Sequence, residues 1–199
     1  KLVVADYETE DLRLIGNRPW QLYYMVIDDW TVVKRQNFYL QWPNLKVSKR
    51  AAEITGFDPK VIEEQGVEPR IAVEDFDKYL YDPAYFIVFH NAIGFDSMIH
   101  ATSRRELGLK VDYSWLDRLL DTNCIAKGWK TNNLPKQDES RLAWQFRMDS
   151  LRVKGIKTSV GYLAKEFNIP HDPATLHQAQ NDVLITLQIF KQLLYKIEL

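Results

Sequence analysis

The stretch at residues 84–92, AYFIVFHNA, constrains the fold more than any other part of this chain. It is an almost continuous apolar run of strand length, without the alternation that a strand with one solvent-exposed face shows. Such a strand is typical of a sheet that is covered on both faces, usually by helices. We therefore expect layers of helices packed around a central sheet.

Three stretches near the start of the chain are rich in β-branched and aromatic residues, which favours strands. They are KLVVADYE, WQLYYMVID and TVVKRQNFYLQW, and the turn-forming segments NRP and DDW separate them. This arrangement predicts an antiparallel meander. A further short strand is expected near the end of WLDRLLDTNCIA. The whole pattern predicts an α/β fold with a mixed sheet.

Apolar residues recur at helical spacing in five later stretches. In the last of these, Val183, Leu187, Phe190 and Leu194 lie on one face. Glycine at positions 56 and 108 fits two of the helix ends. The predicted helices cover residues 51–55, 73–81, 95–108, 158–167 and 182–197.

Composition narrows the class of protein. The 199 residues suit one domain, and the net charge of −1 excludes a uniformly basic nucleic-acid coat. No apolar run approaches the roughly 20 residues that span a bilayer. The single cysteine, Cys124, cannot form an internal disulfide, and no Cys/His spacing indicates zinc. We expect an intracellular protein, cytoplasmic or nucleoid-associated, without a membrane partner.

A basic segment interleaved with aromatic residues lies at about residues 127–157. Phosphate neutralisation together with base stacking is what single-stranded nucleic acid requires of a protein surface. The alternative is a helical hairpin whose aromatic side chains pack inward, and the sequence favours neither. The residues are Lys127, Lys130, Lys136, Arg141, Arg147, Arg152, Lys154 and Lys157, with Trp129, Trp144 and Phe146 between them.

Carboxylates recur where one element passes to the next. Asp6 and Glu8 lie two apart on a strand and share a face, Asp96 follows the buried strand, and Asp182 begins the last helix. Sites in open α/β sheets form at the carboxyl ends of strands, so we expect these four acids to converge. An oxygen-rich pocket of this kind suits two Mg²⁺ or Mn²⁺ ions and phosphodiester hydrolysis. Taken singly, Asp96 and Asp182 could instead only favour the first turns of their helices.

His177 precedes Asp182 by five residues and belongs to the connection before the last helix. A neutral histidine beside divalent cations can accept a proton from an attacking water. The plainer alternative is a loop histidine exposed to solvent.

These residues resemble the motifs of the DEDDh 3′–5′ exonucleases, which include the bacterial proofreading epsilon subunit. Asp-x-Glu-Thr is matched by Asp6, Tyr7, Glu8 and Thr9. The second motif, His-Asn-x-x-Phe-Asp, is similar to the stretch that contains His90, Asn91, Phe95 and Asp96. The third motif, His-x-Ala-x-x-Asp, is matched by His177, Ala179 and Asp182. The likeness extends from Leu2 to about Leu194. ADYETE followed by NRPWQ is also similar to the opening of bacterial exonuclease I, a single-strand DNA enzyme.

The resemblance implies an RNase H-like fold, with three antiparallel strands and then parallel strands in a five-stranded mixed sheet. It also implies that two Mg²⁺ or Mn²⁺ ions are held by Asp6, Glu8, Asp96 and Asp182. His177 would be the general base, and nucleoside 5′-monophosphates would leave from a 3′ end. The terminal nucleotide would meet Tyr7, Thr9, Leu12, Asn91 and Phe95, with Leu12 against its base.

The chain departs from the family pattern in three places. Glu10 and Asp11 stand where Thr-Gly is common, which affects the backbone near the terminal nucleotide. The second motif is one residue longer than in the epsilon subunit, so we expect a small bulge before Asp96. The basic segment at about 127–157 is longer than in the minimal family and is a candidate substrate clamp.

The expected substrate is nucleic acid with a free 3′ end, and single-stranded DNA is favoured. RNA trimming by an enzyme of the same family is the main alternative, because the motifs do not report on the 2′-hydroxyl. A catalytically dead nucleic-acid-binding module is the third reading. A polymerase or another replication or repair protein is a possible partner.

Overall fold

A computed structural model describes residues 1–198 and contains a six-stranded mixed sheet flanked by helices. The strand order is β4-β3-β2-β1-β5-β6. β1 to β3 form the antiparallel meander, while β5 and β6 run parallel to β1. The strands are β1 Leu2–Thr9, β2 Pro19–Asp28, β3 Thr31–Leu40, β4 Gly66–Val67, β5 Phe86–Phe89 and β6 Leu119–Asp121.

The α/β class and the predicted order of antiparallel and parallel strands are confirmed. The sheet has a sixth strand because Gly66–Val67 pairs in parallel with the end of β3 at the sheet edge. Two residues are too few to give a periodic signal in a sequence. β6 lies in the middle of WLDRLLDTNCIA and not near its end, because Asp121 both ends the strand and caps the next helix.

Eight α-helices lie within the described residues. α3 begins four residues before its predicted start because Pro69 occupies the first turn, where its missing N–H is no loss. Short 3₁₀ turns lie at Ser114–Arg118 and Pro173–Thr175. The helices are α1 Lys49–Thr55, α2 Pro59–Gln65, α3 Pro69–Leu80, α4 Asp96–Glu106, α5 Thr122–Thr131, α6 Arg141–Ser150, α7 Val160–Glu166 and α8 Ala179–Leu194.

Both faces of the sheet are covered, as the apolar run in β5 predicts. Tyr7 of β1 packs against Phe76 of α3 and His100 of α4 on one face. α8 crosses the other face against β1 and β2. Ile87, Val88 and Phe89 are fully buried as a result, whereas Phe86 at the strand start is exposed. None of the helices within residues 1–198 has the length and apolar character needed to cross a membrane.

The segment at 127–157 contains the end of α5, a connection, all of α6 and the loop that follows. Two of its aromatic side chains pack inward, as the hairpin alternative requires. Trp144 is fully buried, and its indole N–H donates to the Asn133 carbonyl at 2.7 Å. Trp129 stacks on Phe167 after α7, while Phe146 is 47% exposed. Trp144 and Trp129 therefore belong to the packing of the fold.

Replacing Trp144 with alanine should lower the free energy of unfolding by about 3–5 kcal/mol, the usual cost of emptying a buried tryptophan site. Guanidinium unfolding monitored by circular dichroism measures this change. Phe146→Ala, on the exposed side of the same helix, should cost less than about 1 kcal/mol. Equal effects of the two substitutions would contradict the assignment of Trp144 to the core.

Candidate active site

The carboxyl ends of the parallel strands β1, β5 and β6 meet at one edge of the sheet, and the predicted acids lie there. Asp6 and Glu8 share one face of β1, the face that α8 covers. Ligand oxygens of Asp6, Glu8 and Asp182 all lie within 4.8 Å of one another. Asp182 reaches this point from the first turn of α8. The structure therefore brings together three of the four predicted acids in one tight group.

Asp96 is the first residue of α4 and is 3% exposed. It lies outside the tight group, but its charge acts on both Asp6 and Glu8. The extra residue in the second motif is accommodated by turns over Asn91–Phe95 after the end of β5, and not by a bulge within the strand. Asn91 adopts a φ of +74°, a left-handed conformation that asparagine tolerates better than most residues.

Burial and mutual repulsion shift the acid pKa values upward. Burial, followed by the charges of Glu8, Asp96 and Asp182, raises the pKa of Asp6 well above its ordinary value. Burial, Asp182 and Asp96 raise the pKa of Glu8 to about 9. Burial and the charge of Asp121 raise the pKa of Asp96 to about 8. Burial also raises the pKa of Asp182 to about 6, although His177 opposes this shift.

The charge of these acids is not balanced by ion pairs in the described part of the chain. Within the described residues, none of the four carboxylates forms an ion pair with lysine or arginine. Buried oxygens of Asp96 and Asp182, Oδ1 in each, also lack a hydrogen-bond donor. Unpaired buried carboxylate oxygens are costly, and hard divalent cations satisfy them. The residues therefore fit a site for a hard divalent cation.

Capping explains only part of the position of Asp182. Its Oδ2 accepts the backbone N–H of His177 at 3.2 Å, just before α8. His177 itself is exposed and has a φ of +64°. This exposure agrees with the alternative that His177 is a loop histidine in solvent. His177 nevertheless lines the same two clefts as Asp182. The structure thus places His177 beside the acids with its side chain open to solvent.

Two clefts meet at the acids. The apolar cleft, about 460 Å³, lies between the loop after β1 and α1, and Leu12, Ala51 and Ile54 give its apolar wall. The acidic cleft, about 530 Å³, lies between the Asn91–Phe95 turns and the start of α7. Both clefts are lined by a shared set of residues: Asp6, Tyr7, Phe95, His177 and Asp182.

The other predicted contacts of the terminal nucleotide fall in different surroundings. Leu12 is 79% exposed at the rim of the apolar cleft, and Phe95 lines both clefts. Thr9 is buried, and its hydroxyl donates to the Asp11 carbonyl at 2.6 Å, which holds the loop after β1. Asn91 lines the acidic cleft.

Tyr7 is placed differently from the predicted cleft wall. Its backbone follows the cleft, but the side chain alternates to the opposite face of β1 from Asp6 and Glu8. There its hydroxyl hydrogen-bonds His100 Nδ1 at 2.9 Å, and the residue is 4% exposed. His100 Nε2 in turn lies 3.2 Å from Asp77. Tyr7 therefore anchors β1 to α3 and α4 beneath the acids.

Glu10, which replaces a small residue of the family pattern, has a structural partner. Its carboxylate forms a salt bridge with Arg18 at 2.7 Å and accepts the backbone N–H of Lys46 at 2.8 Å. Burial alone would raise the pKa of Glu10, but these hydrogen bonds outweigh burial and lower the pKa. Glu10 thus ties the loop after β1 to the segment that leads into α1, the two sides of the apolar cleft.

Asp121, Asn123 and Thr158 also shape the site, although none of them is among the site residues predicted from the sequence. Asp121 accepts the backbone N–H groups of Asn91 at 2.9 Å and Ile93 at 3.1 Å while it caps α5. Asn123 donates to the Asn91 side chain at 2.9 Å and accepts from Thr158 at 2.5 Å. The Asp-Thr-Asn order after a strand is a helix-cap signal, but it does not reveal the tertiary partners.

Metal-free stability should fall as pH rises from about 7 to about 9. Acids with raised pKa values keep protons in the folded state that the unfolded chain has already lost near pH 4, so deprotonation favours unfolding. His90, whose pKa burial lowers to about 4, titrates below this window. Divalent cations replace the protons, so stabilisation by Mg²⁺ or Mn²⁺ should grow over the same range. Thermal unfolding in EDTA and in each cation measures both trends, and a metal-free stability that rises with pH would contradict them.

Several solved structures of exonuclease I have a similar fold. No protein-family model matches the chain, and a search of curated proteins found no match. A zinc-bound E. coli exonuclease I complex with single-stranded DNA aligns with a TM-score of 0.75 and 18% identity, over 96% of this chain and 39% of that chain. The chain has the fold of the matched part of exonuclease I.

Two further exonuclease I structures agree. E. coli exonuclease I with a dA16 oligonucleotide aligns at a TM-score of 0.75 and 19% identity, over 98% of this chain and 41% of that one. A product-bound exonuclease I aligns at a TM-score of 0.71 and 20% identity, over 98% of this chain and 43% of that one. The chain thus spans about two fifths of the length of the exonuclease I structures it matches.

Proposed function

We propose that this chain is a divalent-metal-dependent 3′–5′ exonuclease domain that acts on single-stranded DNA. The observation that carries the proposal is the group of Asp6, Glu8 and Asp182, with Asp96 beside it, at the strand ends. Within the described residues, none of these acids forms an ion pair with lysine or arginine. The exonuclease I fold supports the same reaction class, and the motif resemblance supports the DEDDh subtype. One domain over residues 1–199 is part of this proposal.

In this proposal, different residues bind the metal ions, accept the proton of water and contact the terminal nucleotide. Asp6, Glu8, Asp96 and Asp182 would hold two Mg²⁺ or Mn²⁺ ions, which when bound supply the charge that activates water and stabilises the leaving oxygen. His177, beside Asp182 and open to solvent, accepts the proton of the attacking water. Leu12 and Phe95 give apolar surface to the terminal base and sugar in the apolar cleft.

The test is a panel of substrates with blocked ends in Mg²⁺. A 5′-labelled single-stranded oligonucleotide should shorten stepwise from the 3′ end, while a circular single strand and a 3′-blocked strand should persist. A matched RNA strand separates DNA from RNA specificity, and a duplex separates single from double strands. Cleavage of the circle would indicate an endonuclease, and binding of all strands without cleavage would indicate a nucleic-acid-binding module.

A further inference from the structure

A third cleft, the basic cleft, lies beside the acidic cleft and has a volume of about 510 Å³. It is formed by the end of α5, the end of α6 and the loop before α7. Its walls carry three cationic side chains, Lys127, Arg152 and Lys154, and one carboxylate, Asp149. The whole chain has a net charge of −1, so this is a local concentration of positive charge.

The basic cleft is continuous with the acidic cleft. Asn91 and Asn123 line both, and the hydrogen bond between their side chains forms the floor where the two clefts join. Thr158 extends this floor through its bond to Asn123. The charge of Lys127 also reaches His90, which lines the acidic cleft. A polymer that lies over the acids can therefore continue into the basic cleft.

The cations of the basic cleft are not used in ion pairs within the described part of the chain. The charged ends of Lys127 and Arg152 each donate to the Asp149 backbone carbonyl, which holds them in place without forming an ion pair. Of the other five basic residues of the 127–157 segment, two are in ion pairs, and the remaining three, Lys136, Arg141 and Lys157, do not line this cleft. Arg147 binds Glu139 at 2.6 Å, and Lys130 binds Glu166 at 2.5 Å.

The apolar and basic clefts differ in what they can bind. The apolar cleft offers Leu12 and Ile54, which are 79% and 44% exposed, to a base and sugar. The basic cleft offers cations, amides and hydroxyls, which suit phosphate oxygens. Of the acids, Asp6 and Asp182 line both the apolar cleft and the acidic cleft, and the acidic cleft joins the basic cleft. A phosphodiester that links a terminal nucleotide to its neighbour would therefore lie at the acids.

We propose that the basic cleft binds the phosphate backbone of the single strand upstream of the scissile bond, through Lys127, Arg152 and Lys154. The inference rests on the proposed function for the direction of the strand. It narrows the predicted clamp from the whole 127–157 segment to three of its eight basic residues. Short substrates that end at the acids do not reach these side chains.

The test compares two triple variants with equal change of charge. The first is Lys127→Ala, Arg152→Ala and Lys154→Ala. The control is Lys110→Ala, Lys136→Ala and Lys165→Ala, three exposed lysines that line none of the clefts described here. Binding of a fluorescent dT oligonucleotide is measured in Ca²⁺ or EDTA across salt concentrations.

Three lost phosphate contacts should reduce the slope of log K against log salt by about 2. Between about 50 and 200 mM salt, wild type and control should therefore lose about 20-fold more affinity than the cleft variant. In Mg²⁺, the cleft variant should raise KM for long strands and leave dinucleotide cleavage unchanged. Equal salt slopes for both triple variants, or an equal loss on dinucleotides, would overturn the proposal.

Single methylphosphonate linkages, which are neutral, locate the contact. Upstream substitutions should weaken binding to wild type and have no effect on the cleft variant. If wild type binds with the expected slope and cuts nothing, the proposed function fails and the basic cleft remains a strand-binding surface. If wild type cuts from the 3′ end and upstream neutral linkages have no effect, the basic cleft proposal fails alone.

Discussion

Glu8→Gln is expected to abolish metal-dependent cleavage and at the same time to stabilise the metal-free protein. Glutamine keeps the shape of the side chain but removes the charge that binds a cation, so cleavage should fall by about 10³-fold or more. The same change removes a buried carboxylate whose pKa burial, Asp182 and Asp96 raise to about 9. Above neutral pH, the free energy of unfolding of the Glu8→Gln variant in EDTA should therefore exceed that of the wild type by about 1–3 kcal/mol.

Glu10→Gln is the matched control, because the same chemical change two residues away should change the free energy of unfolding in the opposite direction. Glu10 is 3% exposed and paired with Arg18, so its loss should destabilise the protein by about 2–3 kcal/mol. Thermal unfolding in EDTA at about pH 8, together with Mn²⁺ titration by calorimetry, measures both variants. Destabilisation by Glu8→Gln in the absence of metal would contradict an unbalanced acidic cluster.

His177→Asn should lower the rate of the cleavage step by about 10²–10⁴-fold, the usual contribution of a general base. Asparagine tolerates the left-handed backbone that His177 adopts, with φ at +64°, so the fold around Asp182 should persist. Metal binding and strand binding should therefore stay near wild type. Single-turnover cleavage with enzyme in excess isolates this step from product release.

The control for this substitution is His171→Asn, in the same connection between α7 and α8. His171 Nδ1 lies 2.9 Å from the Ile169 carbonyl oxygen, and the residue lines none of the three clefts. Its replacement should leave the single-turnover rate unchanged. A wild-type rate in His177→Asn would remove the general-base role, and equal losses in both variants would indicate a general effect on this connection.

Local geometry was sufficient to predict much of the acidic site. Asp6 and Glu8 share a face because strands alternate, and Asp96 and Asp182 lie in first turns because each follows a strand or loop and precedes a helix. The convergence of these elements follows from where parallel strands end. The same alternation rule turns Tyr7 to the opposite face, which a motif resemblance alone does not reveal.

The remaining features depend on contacts between distant segments. The two residues of β4 pair with β3 without any periodic signal, and α6 is recognisable only once Trp144 is seen to pack on Gly128. Asn123 and Thr158 meet across 35 positions of sequence. Salt bridges such as Arg147–Glu139 remove some of the eight basic residues from strand binding. This salt bridge forms because the connection before α6 folds back onto the helix, and the sequence does not show that fold.

The most direct test of the central claim is mass spectrometry of the products released from single-stranded DNA in Mg²⁺ and ¹⁸O-labelled water. The account predicts nucleoside 5′-monophosphates with one ¹⁸O in each phosphate, released in order from the 3′ end and absent with EDTA or with Glu8→Gln. Release of 3′-monophosphates or of internal fragments, or release that Glu8→Gln leaves unchanged, would contradict it.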